Sequence, residues 1–294
     1  MTTLDSSLLA ASLMAKLERM ELVSRKIFRG RMKGERRSNR KGQSVEFADF
    51  RNYAPGDDLR FIDWNLFARM DRLYLKLFLE EEDLHLYVLI DDSRSMEFGT
   101  PTKLHVAKQI ASALGYIGLC RGDRVSLSAF NREQPGVFRG RVSTYRMLDF
   151  LSGMEAAPTS KDMTSSVKSF CMRNIHKGIV VLISDLMDKT GYEAALRMLV
   201  ARDLDVFLVH LLSPEELKPE LKGDLKLIDS EDADQREISV SASLLKRYQQ
   251  TLNSFIDGAK AFCRKRSITY VPARSDIEVD VLIEQYLRVR GLVR

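Results

Sequence analysis

The sequence has little cysteine and no long apolar run. Its 294 residues include three cysteines, which are far apart and form no C-x-x-C pair. This argues against a disulfide framework or a zinc site and fits a reducing cytosol. No stretch approaches the roughly 18 apolar residues of a membrane-spanning helix. Because Asp5 stands where a secretory signal needs positive charge, we expect a cytoplasmic protein without a membrane span.

The motifs of several common enzyme classes are missing as well. There is no G-x-x-x-x-G-K-[ST] loop, so the chain is not itself a P-loop ATPase. No G-x-S-x-G elbow presents a serine nucleophile. The four histidines are isolated in the sequence and are interpreted as structural residues. With no catalytic nucleophile or base in evidence, the sequence favours a binding protein over an enzyme.

Charge is concentrated in two stretches. The net charge is +5, yet residues 25–41 alone carry nine Lys or Arg and one acid. Residues 213–240 carry nine acids and four bases. The first stretch is rich in Gly and Arg and has no apolar period, which predicts an exposed basic loop over residues 29–43. Nucleic-acid binding by this loop stays open as an alternative role.

The first part of the chain is predicted to precede the main domain. Apolar residues at helical spacing indicate an amphipathic helix within residues 1–28. Residues 44–83 contain a turn signal at 53–58, helical spacing over 59–70 and period-two alternation over 73–79. We expect this segment to contain a helix and a strand and to pack on the core.

The rest of the chain, residues 84–294, alternates short apolar strands with helices. This pattern is typical of an α/β fold with a mostly parallel sheet that is covered by helices on both faces. The acidic stretch 213–240 interrupts the alternation with two strand-like runs around a polar turn. We interpret it as an inserted β-hairpin.

Two of the predicted buried strands end in aspartate. The first continues into the run D-D-S-R-S, which contains Asp91, Ser93 and Ser95, and the second ends at Asp185. Because ligands of open α/β sheets bind beyond the carboxyl ends of the strands, these oxygens are expected to converge. Carboxylate and hydroxyl oxygens suit Mg²⁺ or Mn²⁺. The alternative is that the same residues only cap the helices that follow.

This arrangement resembles the von Willebrand factor A domain and its metal ion-dependent adhesion site. The resemblance implies a Rossmann-type fold and one Mg²⁺ or Mn²⁺ held by Asp91, Ser93, Ser95, Asp185 and a threonine. Such domains often have two glycines before that threonine, which are missing here. Thr164 is favoured over Thr159 because it is better placed at the start of a helix.

The segment before this domain resembles the signature of a bacterial family, domain of unknown function 58. The residues that carry the resemblance are Glu46, Phe47, Asp49, Arg51, Tyr53, Pro55, Gly56, Asp57, Asp58, Arg60, Ile62, Asp63, Trp64, Ala68 and Arg69. The resemblance extends to the C-terminus and implies an adaptor that works with a MoxR-type AAA+ ATPase. We interpret the arginines and aspartates of this segment as an internal ion-pair network around Trp64.

The sequence as a whole therefore predicts a metal-dependent protein-binding adaptor. In the picture that the resemblance implies, the ATPase hydrolyses ATP while this chain recruits a client protein for complex maturation. The metal would take a Glu or Asp side chain of the partner as its last ligand. A metal-dependent phosphoesterase that uses the same carboxylates is the competing reading.

Overall fold

A computed structural model describes residues 8–24, 46–79, 84–132, 135–157, 161–173, 175–221, 223–228 and 235–294. The basic loop predicted over 29–43 lies outside these residues, and so does Thr159. The chain divides into two compact units, one formed by residues 36–83 and the other by the rest of the chain. Each unit is described by itself.

The secondary structure follows the predicted alternation of strands and helices. The strands are β1 (Glu46–Asn52), β2 (Tyr74–Leu79), β3 (His85–Ile90), β4 (Arg124–Ala129), β5 (Val137–Arg139), β6 (Gly178–Ser184), β7 (Asp205–Leu212), β8 (Gly223–Ile228), β9 (Gln235–Val240) and β10 (Thr269–Arg274). The helices are α1 (Ala11–Leu17), α2 (Trp64–Met70), α3 (Lys103–Arg121), α4 (Thr144–Ser152), α5 (Met163–Cys171), α6 (Glu193–Ala201), α7 (Pro214–Leu217), α8 (Ala242–Lys265) and α9 (Val279–Val281). Short 3-10 turns lie at Leu59–Phe61, Arg94–Glu97 and Arg141–Ser143, and a π-helical turn at Leu282–Leu287 follows α9.

The larger unit is built around a six-stranded sheet of order β10-β7-β6-β3-β4-β5. Its strands run parallel, except that β5 pairs with β4 in the antiparallel direction. The predicted α/β class with a mostly parallel sheet is therefore confirmed. The edge strand β5 was not predicted, since three residues are too few to show a period.

Both faces of this sheet are covered. All six residues of β3 are buried, and its alternate side chains belong to two different apolar clusters. Leu86, Val88 and Ile90 pack in the cluster that contains helices α3 and α4. Tyr87 and Leu89 pack in the cluster that contains α5, α6 and α8. A strand buried on both faces reads as a continuous apolar run, as this one does.

The helix predicted within residues 1–28 is much shorter in the structure. Helix α1 ends at Leu17, and a turn at residues 18–19 leads to a β-bridge between Leu22 and Val293. The amide of Glu21 donates to the carbonyl of Arg294 at 3.0 Å, and the amide of Val23 donates to the carbonyl of Leu292 at 2.9 Å. Pairing with the C-terminal residues therefore replaces the helical hydrogen bonds that periodicity alone suggested.

The smaller unit contains an antiparallel pair formed by β1 and β2, with helix α2 between them. The helix predicted over 59–70 is divided because the Asp63 side chain caps α2 by accepting from the amides of Asn65 and Leu66. Two of the predicted ion pairs form, between Arg51 and Asp57 and between Arg60 and Asp58. Their internal placement around Trp64 is wrong, since both arginines are exposed and the Trp64 side chain is 61% exposed.

A second antiparallel pair lies within the acidic stretch. Strands β8 and β9 pair from Gly223 opposite Val240 to Ile228 opposite Gln235. The short helix α7 precedes them and begins with a capping box. In that box the Ser213 hydroxyl accepts from the Glu216 amide, and the Glu216 carboxylate accepts from the Ser213 amide.

Candidate metal centre

The parallel pairing of β3 and β6 brings the two predicted aspartates to one edge of the sheet. Ile90 lies opposite Ile183 in the register, so the next residues of both strands emerge side by side. The amide of Asp91 donates to the carbonyl of Ile183 at 2.9 Å. The Ser184 hydroxyl donates to Asp91 Oδ2 at 2.5 Å. The structure thus connects the two strand ends directly through Asp91 and Ser184.

The loop after β3 gathers the predicted hydroxyl groups. Asp91 Oδ1 accepts from the amide of Ser93 at 3.0 Å, which turns the chain immediately after the strand. The 3-10 turn Arg94–Glu97 then brings the Ser95 hydroxyl to 3.1 Å from the Ser93 hydroxyl. One carboxylate and two hydroxyls therefore occupy a single tight loop.

Thr164 lies in the first turn of α5. The start of this helix is hydrogen-bonded to the loops that follow β4 and β6, the two neighbours of β3 in the sheet. The Asn131 side chain, just after β4, accepts from the amide of Lys161 at 2.7 Å. The Asp188 side chain, just after β6, accepts from the amide of Met163 at 2.6 Å. The Thr164 hydroxyl oxygen is buried and has no hydrogen-bond partner among the described residues. A buried hydroxyl without a partner is unfavourable by itself and calls for an explanation.

Asp185 is paired with a cation that sequence analysis missed. The Lys103 ammonium, at the start of α3, donates to Asp185 Oδ2 at 2.7 Å and also to a carboxylate oxygen of Glu216. The Lys103 side chain is fully buried and that of Asp185 is 1% exposed. A signal for Lys103 was present, because it shares helical spacing with the buried residues Ala107 and Ile110.

The Asp91 carboxyl is the least compensated acid of the site. Burial, and next the negative charge of Asp185, raise the pKa of Asp91 from its ordinary value to about 7. Hydrogen bonds from Ser184 and Ser93 act in the opposite direction and do not offset this effect. Within the described residues no ion pair reaches Asp91. A positive charge placed beside it would therefore be stabilised.

His210 lies directly behind Asp185 and was interpreted from the sequence as a structural residue. One ring nitrogen, Nε2, is 3.0 Å from the backbone carbonyl of Asp185, which only accepts, so Nε2 carries the proton. The other, Nδ1, is 2.6 Å from the hydroxyl of Tyr270 and accepts from it. Burial lowers the pKa of His210 to about 4, so the ring is neutral at physiological pH. One nitrogen therefore binds the residue that follows β6, and the other binds a side chain of β10.

The backbone immediately after Asp185 is strained. Leu186 has φ of 60°, in the left-handed region that side chains other than Gly, Asn and Asp rarely adopt, and its side chain is buried. The Ser184 hydroxyl accepts from the Leu186 amide at 2.9 Å and so holds this conformation. Strain of this kind is typical of functional sites, where surrounding contacts enforce it.

The oxygens that could bind a hard divalent cation at this site come from more hydroxyls than carboxylates. Among the described residues no group of three or more His, Cys, Asp or Glu side chains is arranged to hold a metal. The available oxygens are the Asp91 carboxylate, the paired Ser93 and Ser95 hydroxyls and the unpartnered Thr164 hydroxyl. Such oxygens match the ligands that Mg²⁺ and Mn²⁺ prefer.

Fold and site together define a class: an α/β protein whose aspartates and hydroxyls gather at the carboxyl edge of a mostly parallel sheet. The chain belongs to the family described as protein of unknown function DUF58, which matches residues 49–254. This confirms the family resemblance seen in the sequence.

Curated relatives add no activity to this assignment. One protein of Mycobacterium bovis and two of Mycobacterium tuberculosis are each 26% identical to this chain over 239 residues. The match covers 79% of this chain and 75% of each relative. All three are described as uncharacterized proteins.

The solved structures that are similar to this chain are more distant in sequence. The conserved hypothetical protein BatB of Bacteroides thetaiotaomicron is 13% identical with a TM-score of 0.41. An aerotolerance-related membrane protein of Bacteroides fragilis is 13% identical with a TM-score of 0.43. Each match covers 70% of this chain and 98% of the other. At these TM-scores the fold assignment rests on the sheet topology of this chain alone.

The expected cytoplasmic location is corrected by these comparisons. The Bacteroides fragilis structure is described as that of a membrane protein, and a third similar structure, from Vibrio fischeri, is described as a membrane spanning protein. The Vibrio fischeri protein is 15% identical with a TM-score of 0.22, over 72% of this chain and 99% of the other. In the described part of this chain, none of the helices combines the length and apolar character needed to span a bilayer.

Proposed function

We propose that this protein is a metal-dependent binding protein with a von Willebrand factor A-like domain. In this proposal Asp91, Ser93, Ser95 and Thr164 hold one Mg²⁺ or Mn²⁺, and Asp185 supports it. The observation that carries the proposal is the Thr164 hydroxyl, which is buried and unpartnered among the described residues. It lies in the first turn of α5, whose start is bound to the loops that follow β4 and β6. A bound cation would give that oxygen a partner.

The charges of the site support the same proposal. Asp91, Asp185 and Glu216 carry three negative charges when ionised, and Lys103 compensates one of them. Burial is the main cause of the raised pKa of Asp91, and the charge of Asp185 is the second. The remaining formal charge of −2 is unfavourable in a buried site. One divalent cation would neutralise it.

Neutral hydroxyls as ligands have a functional consequence. A metal bound mainly by Ser and Thr oxygens keeps more of its positive charge than one bound by several carboxylates, and so attracts an acidic ligand from outside. We propose that this ligand is a Glu or Asp side chain of a partner protein. The partner proposed is a MoxR-type AAA+ ATPase or its client, as the family resemblance implies.

A metal-dependent phosphoesterase is less well supported by the geometry. It would need a base near the metal, and His210 is the histidine that reaches this site in the described structure. Its nitrogens are both engaged and its pKa is lowered to about 4. Turnover of p-nitrophenyl phosphate that depends on Mn²⁺ would favour the phosphoesterase instead.

The metal site is tested by thermal unfolding with and without Mn²⁺. An ion that binds only the folded state stabilises it by about 1.4 kcal/mol at ten times its dissociation constant. The Ser93→Ala/Ser95→Ala variant should lose this increment. Ser169→Ala, which removes an exposed hydroxyl on α5, should keep it. Equal Mn²⁺ shifts in all three proteins would contradict the assignment.

Partner binding is tested by co-purification of a MoxR-type ATPase with the wild type, with the wild type in chelator and with Ser93→Ala/Ser95→Ala. We expect recovery only with the wild type in the presence of metal. Asp185→Ala is a poor probe, because it would leave the buried Lys103 ammonium without its partner. Equal recovery in all three samples would show that the association uses another surface.

A further inference from the structure

Residues 59–70 of the smaller unit expose a concentration of apolar side chains, which we call the apolar face. Its members are large and between 36% and 61% exposed: Leu59, Phe61, Trp64, Phe67 and Met70. No other stretch of this length in the described part of the chain has as many exposed large apolar residues. Apolar patches of this kind mark interaction sites.

Helix α2 arranges most of the apolar face in a row. Trp64, Phe67 and Met70 follow one another at intervals of three residues, so they are neighbours along the helix surface. The Trp64 and Phe67 rings meet edge to face, with their centroids 6.2 Å apart. Leu59 and Phe61 lie on the 3-10 turn that precedes the helix. The exposed side chains are therefore grouped and not scattered.

The smaller unit buries little apolar surface of its own. Among its described side chains the buried apolar ones are Ile62 and Leu75, which pair in a β-bridge. An antiparallel pair of strands is marginally stable in water unless it packs on further apolar surface. We therefore expect another surface to cover the apolar face.

The charges around the apolar face restrict what that surface can be. Residues 46–79 contain five Lys or Arg and six Asp or Glu, which gives a net charge of −1. Three of the bases pair with acids of the same unit: Arg51 with Asp57, Arg60 with Asp58 and Lys76 with Asp63. A nearly neutral surface has no electrostatic attraction for nucleic acid or for an anionic membrane. It also does not repel a second copy of itself.

We propose that the apolar face is the contact between two copies of this chain, related by a two-fold axis. A large aromatic side chain buries about 150–250 Å², so at these exposures the five residues offer roughly 500 Å² per copy. Two copies would then bury roughly 1,000 Å² through these side chains alone, which is the lower limit for a specific interface. Trp, Phe and Met are also enriched in such interfaces. The dimer should be reversible, with a Kd in roughly the micromolar range.

The chain contains a single tryptophan, Trp64, so its fluorescence reports on the apolar face directly. The experiment follows mass, by sedimentation equilibrium, and Trp64 emission over a range of concentrations of the full-length protein. Chelator is present throughout, because the inference does not depend on the proposed metal site. As concentration rises, the wild type should change from one copy to two. Over the same range the Trp64 emission should move to shorter wavelength as the ring leaves water.

Three variants locate the contact. Met70→Glu and Leu59→Glu place like charges of the two copies in the contact and should weaken association by roughly tenfold or more. Met172→Glu is the matched control, since Met172 is an exposed methionine of the larger unit, and it should associate as the wild type does. Circular dichroism establishes that each variant is folded.

The results that would overturn the inference are distinct. One is a wild type that stays monomeric at every concentration. Another is a dimer that both Met70→Glu and Leu59→Glu retain, or in which Trp64 emission does not change, because its contact would use a different surface. A monomer whose Trp64 emission shifts on phosphatidylglycerol vesicles would show that a membrane covers the apolar face instead. If either variant does not fold, the other one and the wild-type emission still decide.

Discussion

The buried ion pair of the larger unit differs from the exposed ion pairs of the smaller unit. In the smaller unit Arg51 pairs with Asp57 and Arg60 with Asp58, both at 2.6 Å and both with exposed arginines. In the larger unit Lys103 and Asp185 pair with almost no solvent contact. Exposed pairs add little to stability, whereas a buried charge that loses its partner is strongly destabilising. The same residue types therefore shape a local turn in one unit and hold a site together in the other.

The sequence distances of the pairs express the same contrast. Asp57 is six residues from Arg51, and Asp58 is two residues from Arg60. Lys103 is 82 residues from Asp185 and 113 from Glu216. Local pairs stabilise a conformation that the chain already samples, while the distant ones fix the relative positions of β6, α3 and α7. Breaking pairs of each kind tests this distinction.

The largest effect is expected for Lys103→Ala. This change leaves Asp185 and Glu216 without their cation, and breaking a buried pair costs about 3–5 kcal/mol. The free energy of unfolding in urea measures it. Lys168→Ala, at an exposed position in α5, is the matched control and should stay close to the wild type. Equal losses in the two variants would show that the ion pairs of Lys103 with Asp185 and Glu216 do not stabilise the fold.

The next effect is a pH dependence with two opposing slopes, measured in chelator. The pKa of His210 is lowered to about 4 in the folded protein, so its contribution is complete above pH 6.5 and is lost as pH falls towards 4. The pKa of Asp91 is raised to about 7, so its contribution is present at low pH and is lost as pH rises through 7.

Single variants separate these slopes. From pH 7 to pH 4, Asp91→Asn should lose more stability than the wild type, by about 3 kcal/mol, because the compensating slope is removed. His210→Gln should lose less than the wild type, by a similar amount. If the stability of the three proteins changed with pH in parallel, the raised pKa of Asp91 and the lowered pKa of His210 would be contradicted.

A smaller effect is expected for Thr164→Val, which keeps the shape of the side chain and removes the hydroxyl. In chelator the variant should be as stable as the wild type or more stable by about 1 kcal/mol, because an unsatisfied buried group is removed. In Mn²⁺ it should lose the metal increment. Thr190→Val is the control, since the Thr190 hydroxyl donates to Asp188 and its loss should destabilise in both conditions.

The smallest effect is expected for the exposed pairs of the other unit. Arg51→Ala and Arg60→Ala should leave the midpoint of thermal unfolding unchanged, and high salt should not alter this result. A destabilisation as large as that of Lys103→Ala would show that burial is not what separates the two kinds of pair.

Much of the site was predictable because it is local in the sequence. Asp91 and Asp185 each follow an apolar strand directly, and parallel neighbours must place such residues at one edge. The D-x-S-x-S spacing likewise forces Ser93 and Ser95 into one loop. These inferences need only a strand, its direction and the residues that come next.

The parts that were missed depend on contacts between distant segments. Glu216 reads in the sequence as the third helical residue of a capping box, and nothing near it indicates a buried lysine. The true end of α1 depends in the same way on the C-terminal residues that pair with Glu21 and Val23. Periodicity describes which face of an element is buried but not which partner meets it.

The first and last residues of the inserted hairpin lie next to each other. Gly223 and Val240 lie opposite one another in its ladder, so its ends are separated by roughly 5 Å. Glu216 before it and Ser241 after it are each fixed by their own helix cap. Residues 223–240 can therefore be shortened, lengthened or exchanged for a reporter domain while the connections to Lys103 stay in place. The hairpin is therefore a position at which the chain can be altered without changing the residues of the candidate metal centre.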